Sequence, residues 1–264
     1  MDPRGGPGRA DVKADVSPPM VELSVVMPVY NEGDHVVPVL RRFIEGVQTP
    51  HEILVVYDFD EDTTVPVVQA LQRDLPGLRL HKNELGRGVL NAMRSGITAS
   101  TAPYVLVTMA DGSDDPAAVD LMVDKARAGA AVVAASRYMR GGRQVGGPTL
   151  KRVLSRMAGL SLHWFGRLPI HDATNNFKLY RRDFLESVRI ESRAGFELAL
   201  ELSVKAALAG LGLAEVPTTW RDRTAGQTNF RLRAWLPHYL RWYLHLFRHR
   251  ARRLVGREFG AGPS

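Results

Sequence analysis

The sequence predicts an α/β fold with a mainly parallel central sheet and helices on both faces. Short apolar runs, such as 53–57 (ILVVY) within the segment 52–57, recur along the chain, and such runs belong to strands covered on both sides. These runs alternate with segments of helical spacing, which is the order of parallel strands joined by crossovers. A third observation is positional. The run from Val105 breaks abruptly into Asp111, Asp114 and Asp115, and ligands of open α/β sheets collect beyond the carboxyl ends of such strands.

Taken in order, residues 23–28 form the first strand and end in the loop Pro28-Val-Tyr-Asn-Glu32. Residues 34–46 place Val36, Val37, Val39, Leu40 and Phe43 on one helix face. The strand 52–57 runs into the acidic loop Asp58-Phe-Asp-Glu-Asp62, and a helix follows with Val65, Val68, Leu71 and Leu75. Residues 78–81 make a short strand, and the turn Gly86-Arg-Gly88 opens a helix to about Thr98. Strands follow at 104–108 and 130–135. The ligand loops of this sheet are then 28–34, 57–62, 109–116 and 136–144. Beyond Gly141 the reading gives a helix at 148–165, a strand at 177–180, a helix at 195–209 and a strand at 213–220. A final amphipathic helix spans 235–253, with no internal repeat anywhere. The expected organisation is a disordered leader (1–20), a catalytic domain (21–230) and a basic aromatic helix and tail (231–264).

Composition narrows the function. With 264 residues and 45% hydrophobic content, the chain can bury a full core. The absence of cysteine excludes disulfides, thiolate metal sites and a cysteine nucleophile, and fits a reducing cytoplasm. No stretch reaches the ~20 apolar residues of a membrane-spanning helix, and the first twenty residues lack the apolar core of a signal peptide. Between Arg231 and Glu258 lie eight arginines and one acid, a surplus as large as the net charge of +7. A net charge that the tail alone accounts for argues against a nucleic-acid enzyme. The mixture of Trp, Tyr and Arg in 235–253 suits a membrane interface, so the expected location is cytoplasmic with peripheral contact through this tail; a helix packed on the catalytic body is the alternative.

Clustered carboxylates repel one another unless a cation sits between them, and oxygen ligands of this kind suit Mg²⁺ or Mn²⁺, which in turn hold phosphates. Asp111, Asp114 and Asp115 are the candidate ligands. Capping of a helix that begins at Pro116 would account for one of them. Asp58, at the end of the second strand, is placed to accept hydrogen bonds from a nucleobase or ribose, and Arg137 to neutralise phosphate. Neither a Gly-x-Gly-x-x-Gly fingerprint after the first strand nor a Walker lysine motif is present, which weakens dehydrogenase and P-loop readings.

Six motifs in order resemble family 2 glycosyltransferases of the GT-A fold, specifically the branch that acts on polyprenyl or dolichyl phosphate. They are Val26-Met-Pro-Val-Tyr-Asn-Glu32, Glu52-Ile-Leu-Val-Val-Tyr-Asp58, the Asp111 segment, Ser136-Arg-Tyr-Met-Arg-Gly-Gly142, Asp172-Ala-Thr-Asn-Asn-Phe-Lys-Leu-Tyr180, and Glu215-Val-Pro with Arg223-Thr-Ala-Gly-Gln-Thr228. The resemblance implies that Pro28, Tyr30 and Glu32 line a nucleoside pocket with Asp58 on the base. It implies that Asp111 is the second acid of an Asp-x-Asp metal motif, and that Arg137, Lys151 or Arg152 bind phosphates. Asp172, Thr174, Asn175 and Asn176 would form an acceptor loop, with Glu201 and Arg223 closing the site. Met109 stands where the first acid is expected, Tyr57 where another acid is usual, and Asn229 where a lysine usually follows the last turn.

The implied reaction moves a hexose from a GDP- or UDP-hexose to a polyprenyl phosphate with inversion. A neutral hydroxyl acceptor would instead need a carboxylate base, for which Asp172 is the candidate. The competing readings are a soluble glycosyltransferase acting on a small metabolite or saccharide, a nucleotidyltransferase, and a degenerate binding module.

Overall fold

The computed structural model describes residues 21–222 and 232–259. Its strands are β1 (Leu23–Pro28), β2 (His51–Tyr57), β3 (Leu78–Lys82), β4 (Tyr104–Val107), β5 (Ala130–Ser136), β6 (Arg143–Val145), β7 (Lys178–Arg181), β8 (Gly212–Pro217) and β9 (Thr219–Arg221). The helices are α1 (Val36–Gly46), α2 (Thr64–Leu71), α3 (Val89–Ala99), α4 (Val119–Arg127), α5 (Thr149–Trp164), α6 (Arg182–Ser187), α7 (Leu198–Leu208) and α8 (Leu232–Phe259).

Seven strands form one sheet in the order β3-β2-β1-β4-β7-β5-β8, and β6 pairs with β9 in a separate ribbon. β7 alone runs against its neighbours β4 and β5; the other pairs are parallel. The chain winds outward from β1 to β3, then returns to the other side of β1 as β4. The direction of winding therefore reverses between β1 and β4, which opens a crevice beyond their carboxyl ends. The loops leaving Pro28 and Val107 flank that crevice.

Both faces of the sheet are covered. Val25 and Met27 of β1 pack with Phe43, Leu40 and Met122 on one side. Val26, Leu54 and Val105 pack with Met93 and Leu198 on the other. A third cluster joins Leu162, Leu200, Trp242 and Leu246, and seats α8 on α7 and the end of α5. Close approach is set by glycine at two helices. A Cβ at Gly96 would lie 2.4 Å from Val26 Cγ1, and one at Gly159 would lie 2.3 Å from the His171 carbonyl oxygen.

Strand β6 and helix α6 were absent from the sequence reading, and two further elements differ from it. The expected strand 213–220 is two strands, because Thr218 donates its N–H to Ser136 O while its own carbonyl accepts from Arg143 N. That residue steps the chain from the main sheet to the β6–β9 ribbon. The helix expected from Gly195 starts at Leu198. The Glu197 carboxylate accepts from the N–H groups of Arg193, Ala194 and Gly195, which holds that segment as a turn. The leader, the loop that carries Arg223 and Asn229, and the last five residues lie outside the described residues.

Candidate active site

The loop after β1 is fixed from below by α2. Asn31 adopts φ 53°, donating its N–H to Asp62 Oδ2 at 3.0 Å and accepting from Thr63 N at 3.2 Å. Glu32 N donates to Thr64 Oγ1, and buried Asp62 also receives Thr64 N at 2.8 Å. This scaffold leaves Tyr30 exposed, its ring meeting Phe59 edge-on at 5.8 Å, with the Arg87 guanidinium 4.8 Å from the Phe59 centroid. Phe59 and Arg87 were not singled out by the sequence. Asp58 uses both carboxylate oxygens on the next loop, accepting from Asn83 Nδ2 at 2.7 Å and Gly88 N at 2.8 Å. Gly86 and Gly88 both have positive φ there, so the Gly86-Arg-Gly88 turn is built around Asp58.

Beyond β4 the three acids part company. Asp115 accepts from Ala117 N at 3.2 Å as the cap of the turn that starts at Pro116, so it is the one of the three acids that capping accounts for. Asp111 holds its own loop through Ser113 N at 3.0 Å. Asp114 is buried and accepts from Thr108 Oγ1 at 2.8 Å and Met109 N at 3.3 Å. Burial, and then the charge of Asp111, push the Asp114 carboxyl up to about 7. Met109 packs against the apolar core beside α3, so its thioether is a packing group. Among the described residues, no three His, Asp or Glu side chains form a set that could hold a metal ion. A hard cation bound here would rely on one or two carboxylates together with phosphate oxygens, the usual arrangement for Mg²⁺, and Asp111 with Asp114 fits that donor set.

Arg137, just past β5, faces this acidic loop closely enough that its charge acts on Asp114. Its Nε and Nη2 grip Asp172 at 2.7 and 3.0 Å, its backbone N–H bonds the same carboxylate at 3.1 Å, and Nη2 also reaches Ser155 Oγ at 3.3 Å. Ser155 accepts from Tyr138 Oη at 2.8 Å and lies 3.0 Å from Thr174 Oγ1. Burial alone would raise the Asp172 pKa, but the Arg137 charge and hydrogen bonds outweigh it and hold Asp172 below the usual carboxylate range. Fully buried and paired, Asp172 orients Arg137 and is not placed to take a proton from an acceptor, contrary to the expected base.

The sequence also missed Lys178, the first residue of β7. Its buried ammonium donates to the carbonyls of Asp172, Ala173 and Asn175, gathering the 172–175 loop around one charge. Burial pulls its pKa down to about 7, against the charge of Asp172. The signal available was a lysine in an otherwise apolar strand. Asn175 is likewise internal, its Nδ2 bonding Ala135 O at 2.9 Å, and Asn176 Nδ2 bonds Phe196 O at 3.2 Å. These asparagines shape the 172–176 loop from inside.

Other expected residues fall elsewhere. Glu201 is fully buried and accepts from Glu191 N, Ser192 N and Ser192 Oγ, with Lys205 Nζ at 2.8 Å. It clamps the 191–192 segment and is a structural carboxylate, not a catalytic one. Arg152 lies half-buried on α5, about one turn before Ser155, and Lys151 belongs to the same turn. The tail is also corrected. Trp242 and Leu246 are buried, Tyr239, Tyr243 and Phe247 pack against the third cluster, and Lys205 and Arg241 sit over the Trp242 ring at 5.0 and 5.1 Å. These aromatic rings are spent on the body of the protein, which the packed-helix alternative anticipated.

The family model of glycosyl transferase family 2 matches residues 24–189, the span from β1 to the end of this network. The chain belongs to glycosyl transferase family 2. It is 31% identical over 228 residues to a polyprenol monophosphomannose synthase of Mycolicibacterium smegmatis, covering 83% of this chain and 84% of that one. It is 24% identical to a dolichol-phosphate mannosyltransferase of Pyrococcus furiosus, covering 80% of this chain and 60% of the relative. A solved glucosyl-3-phosphoglycerate synthase of Mycobacterium tuberculosis, in complex with Mn²⁺, UDP-glucose and phosphoglyceric acid, superposes with a TM-score of 0.66 at 17% identity, over 86% of this chain and 80% of that one. That likeness is one of fold. The family 2 enzyme described here is a hexosyltransferase with a GT-A fold, as its motifs implied.

Proposed function

We infer that this glycosyltransferase moves a hexose, with inversion, from a GDP- or UDP-hexose to a polyprenyl phosphate at a membrane surface. The carrying observation is the state of the carboxylates. Asp172, the candidate base, is locked to Arg137, and Glu201, expected to help close the site, is locked in a backbone clamp, so neither of these two acids is available as a general base. A phosphate acceptor is already an anion at neutral pH and needs none, whereas a neutral hydroxyl would. The names of the relatives from M. smegmatis and P. furiosus support the same acceptor class.

In this reaction an acceptor phosphate oxygen attacks the anomeric carbon as the bond from that carbon to the donor diphosphate breaks, leaving a nucleoside diphosphate. Tyr30 and Phe59 offer aromatic faces for the nucleobase, and Arg87 lies beside them. Arg137, pre-oriented by Asp172 and Ser155, supplies fixed positive charge where negative charge develops or where the acceptor phosphate docks. Mg²⁺ or Mn²⁺ held by Asp111 with Asp114 would stabilise the departing diphosphate. The deciding test is calorimetry of GDP and UDP with and without Mn²⁺, combined with transfer to a short polyprenyl phosphate. Wild type should bind one nucleotide in a metal-dependent way, and Asp111→Ala should weaken it by about ten-fold or more. Metal-independent binding of equal strength in both proteins would overturn the reading.

A further inference from the structure

Helix α5 is amphipathic the wrong way round. A surface helix normally turns its apolar stripe to the core. Here Leu150, Val153, Leu154, Met157, Trp164 and Phe165 follow the i, i+3, i+4, i+7 spacing of one face, and all are exposed: Leu150 by 66%, Met157 by 63%, Trp164 by 69% and Phe165 by 78%. The opposite face carries Ser155, Gly159 and Leu162. It is the face that holds Arg137 and Thr174, and it packs at Gly159 against the His171 carbonyl. One helix thus has the phosphate-binding network on its inner side and a bare apolar stripe on its outer side.

The charge around the stripe selects what covers it. From Arg137 to His171 the chain holds seven arginines and lysines and no Asp or Glu. Two copies meeting through this face would bring like charge onto like charge. An anionic lipid surface complements it, with basic residues at the headgroups and Trp164, Phe165 and the aliphatic residues in the acyl boundary. We propose that α5, and not the aromatic face of α8, is the membrane-docking element of this enzyme, lying in the interface of an anionic bilayer with its outer stripe. This rests on the lipid-phosphate reading of the active site and extends it. A helix docked in this way presents the Arg137–Ser155–Thr174 network at the depth of a lipid phosphate, so the acceptor need not leave the bilayer to react.

The test is co-sedimentation of the full chain with vesicles of phosphatidylglycerol or of phosphatidylcholine, without donor or acceptor. Wild type should bind the phosphatidylglycerol vesicles preferentially. The double variant Met157→Glu/Trp164→Glu alters only exposed side chains, and it should lose roughly ten-fold or more of that binding while keeping its melting temperature and nucleotide affinity. Leu236→Glu/Leu240→Glu on α8 should bind vesicles as wild type does. Unchanged vesicle binding in the α5 variant would overturn the proposal. So would a wild-type dimer in sedimentation that the variant abolishes without any lipid binding, since the partner would then be a second copy. Failure of the lipid-phosphate reading would look different: intact, α5-dependent vesicle binding with no transfer to a polyprenyl phosphate.

Discussion

Asp114 shows how one buried carboxylate ties chemistry to stability. Its pKa is raised by burial and by Asp111, so between pH 4 and about 7 the folded protein retains a proton that the unfolded chain has already released. Its contribution to stability therefore falls as pH rises through that window and is constant above it. Asp114→Asn keeps an acceptor for Thr108 and Met109 and removes the charge. Relative to wild type, the variant should gain stability steadily from pH 4 to 7, by up to about 4 kcal/mol, and then level off. Urea denaturation at a series of pH values reads this directly, and a pH-independent difference would contradict it. Residue identity in the sequence was enough to single out Asp111, Arg137 and Asp172 as candidates. It could not divide their labour: which of the acids caps the turn at Pro116 was left open, and Asp172 as a counter-ion is decided by Arg137, 35 positions away in the chain.

At the scale of elements, most strands and helices were legible because their periodicity is local. The 172–176 loop was legible only in outline, since its shape depends on Lys178 from β7 and on the close seat of α5. Gly159→Ala separates these local and tertiary influences. Helix propensity alone predicts a gain of about 1 kcal/mol for Gly to Ala. The added Cβ would instead fall 2.3 Å from the His171 carbonyl oxygen, and backbone must move to admit it. The expected outcome is a loss of about 1–3 kcal/mol in denaturant titrations, accompanied by weaker transfer as Ser155 draws away from Arg137. Stabilisation would show that the close seat is not maintained in solution.

For the whole molecule, the tail was the least legible part. Its mixture of aromatic and basic residues is the same whether the rings face lipid or protein, and only the third cluster decides between them. Trp242 and Leu246 are buried there, each contributing about 2–3 kcal/mol by apolar burial. Truncation after Asp222 should therefore lower the melting temperature by roughly 10 °C or more, and not simply release the enzyme from vesicles. Calorimetric scanning of the truncated chain checks this; an unchanged melting temperature would mean that α8 is dispensable to the body.

Lys178 has a use outside catalysis. Its amine is fully enclosed and holds three carbonyls of the loop that borders the active site. An acylating reagent cannot reach that nitrogen until the loop lets go. The rate at which this one lysine is modified, followed by peptide mass spectrometry, is thus a built-in clock for loop opening, and slowing of the clock by donor or acceptor would time how each substrate closes the site.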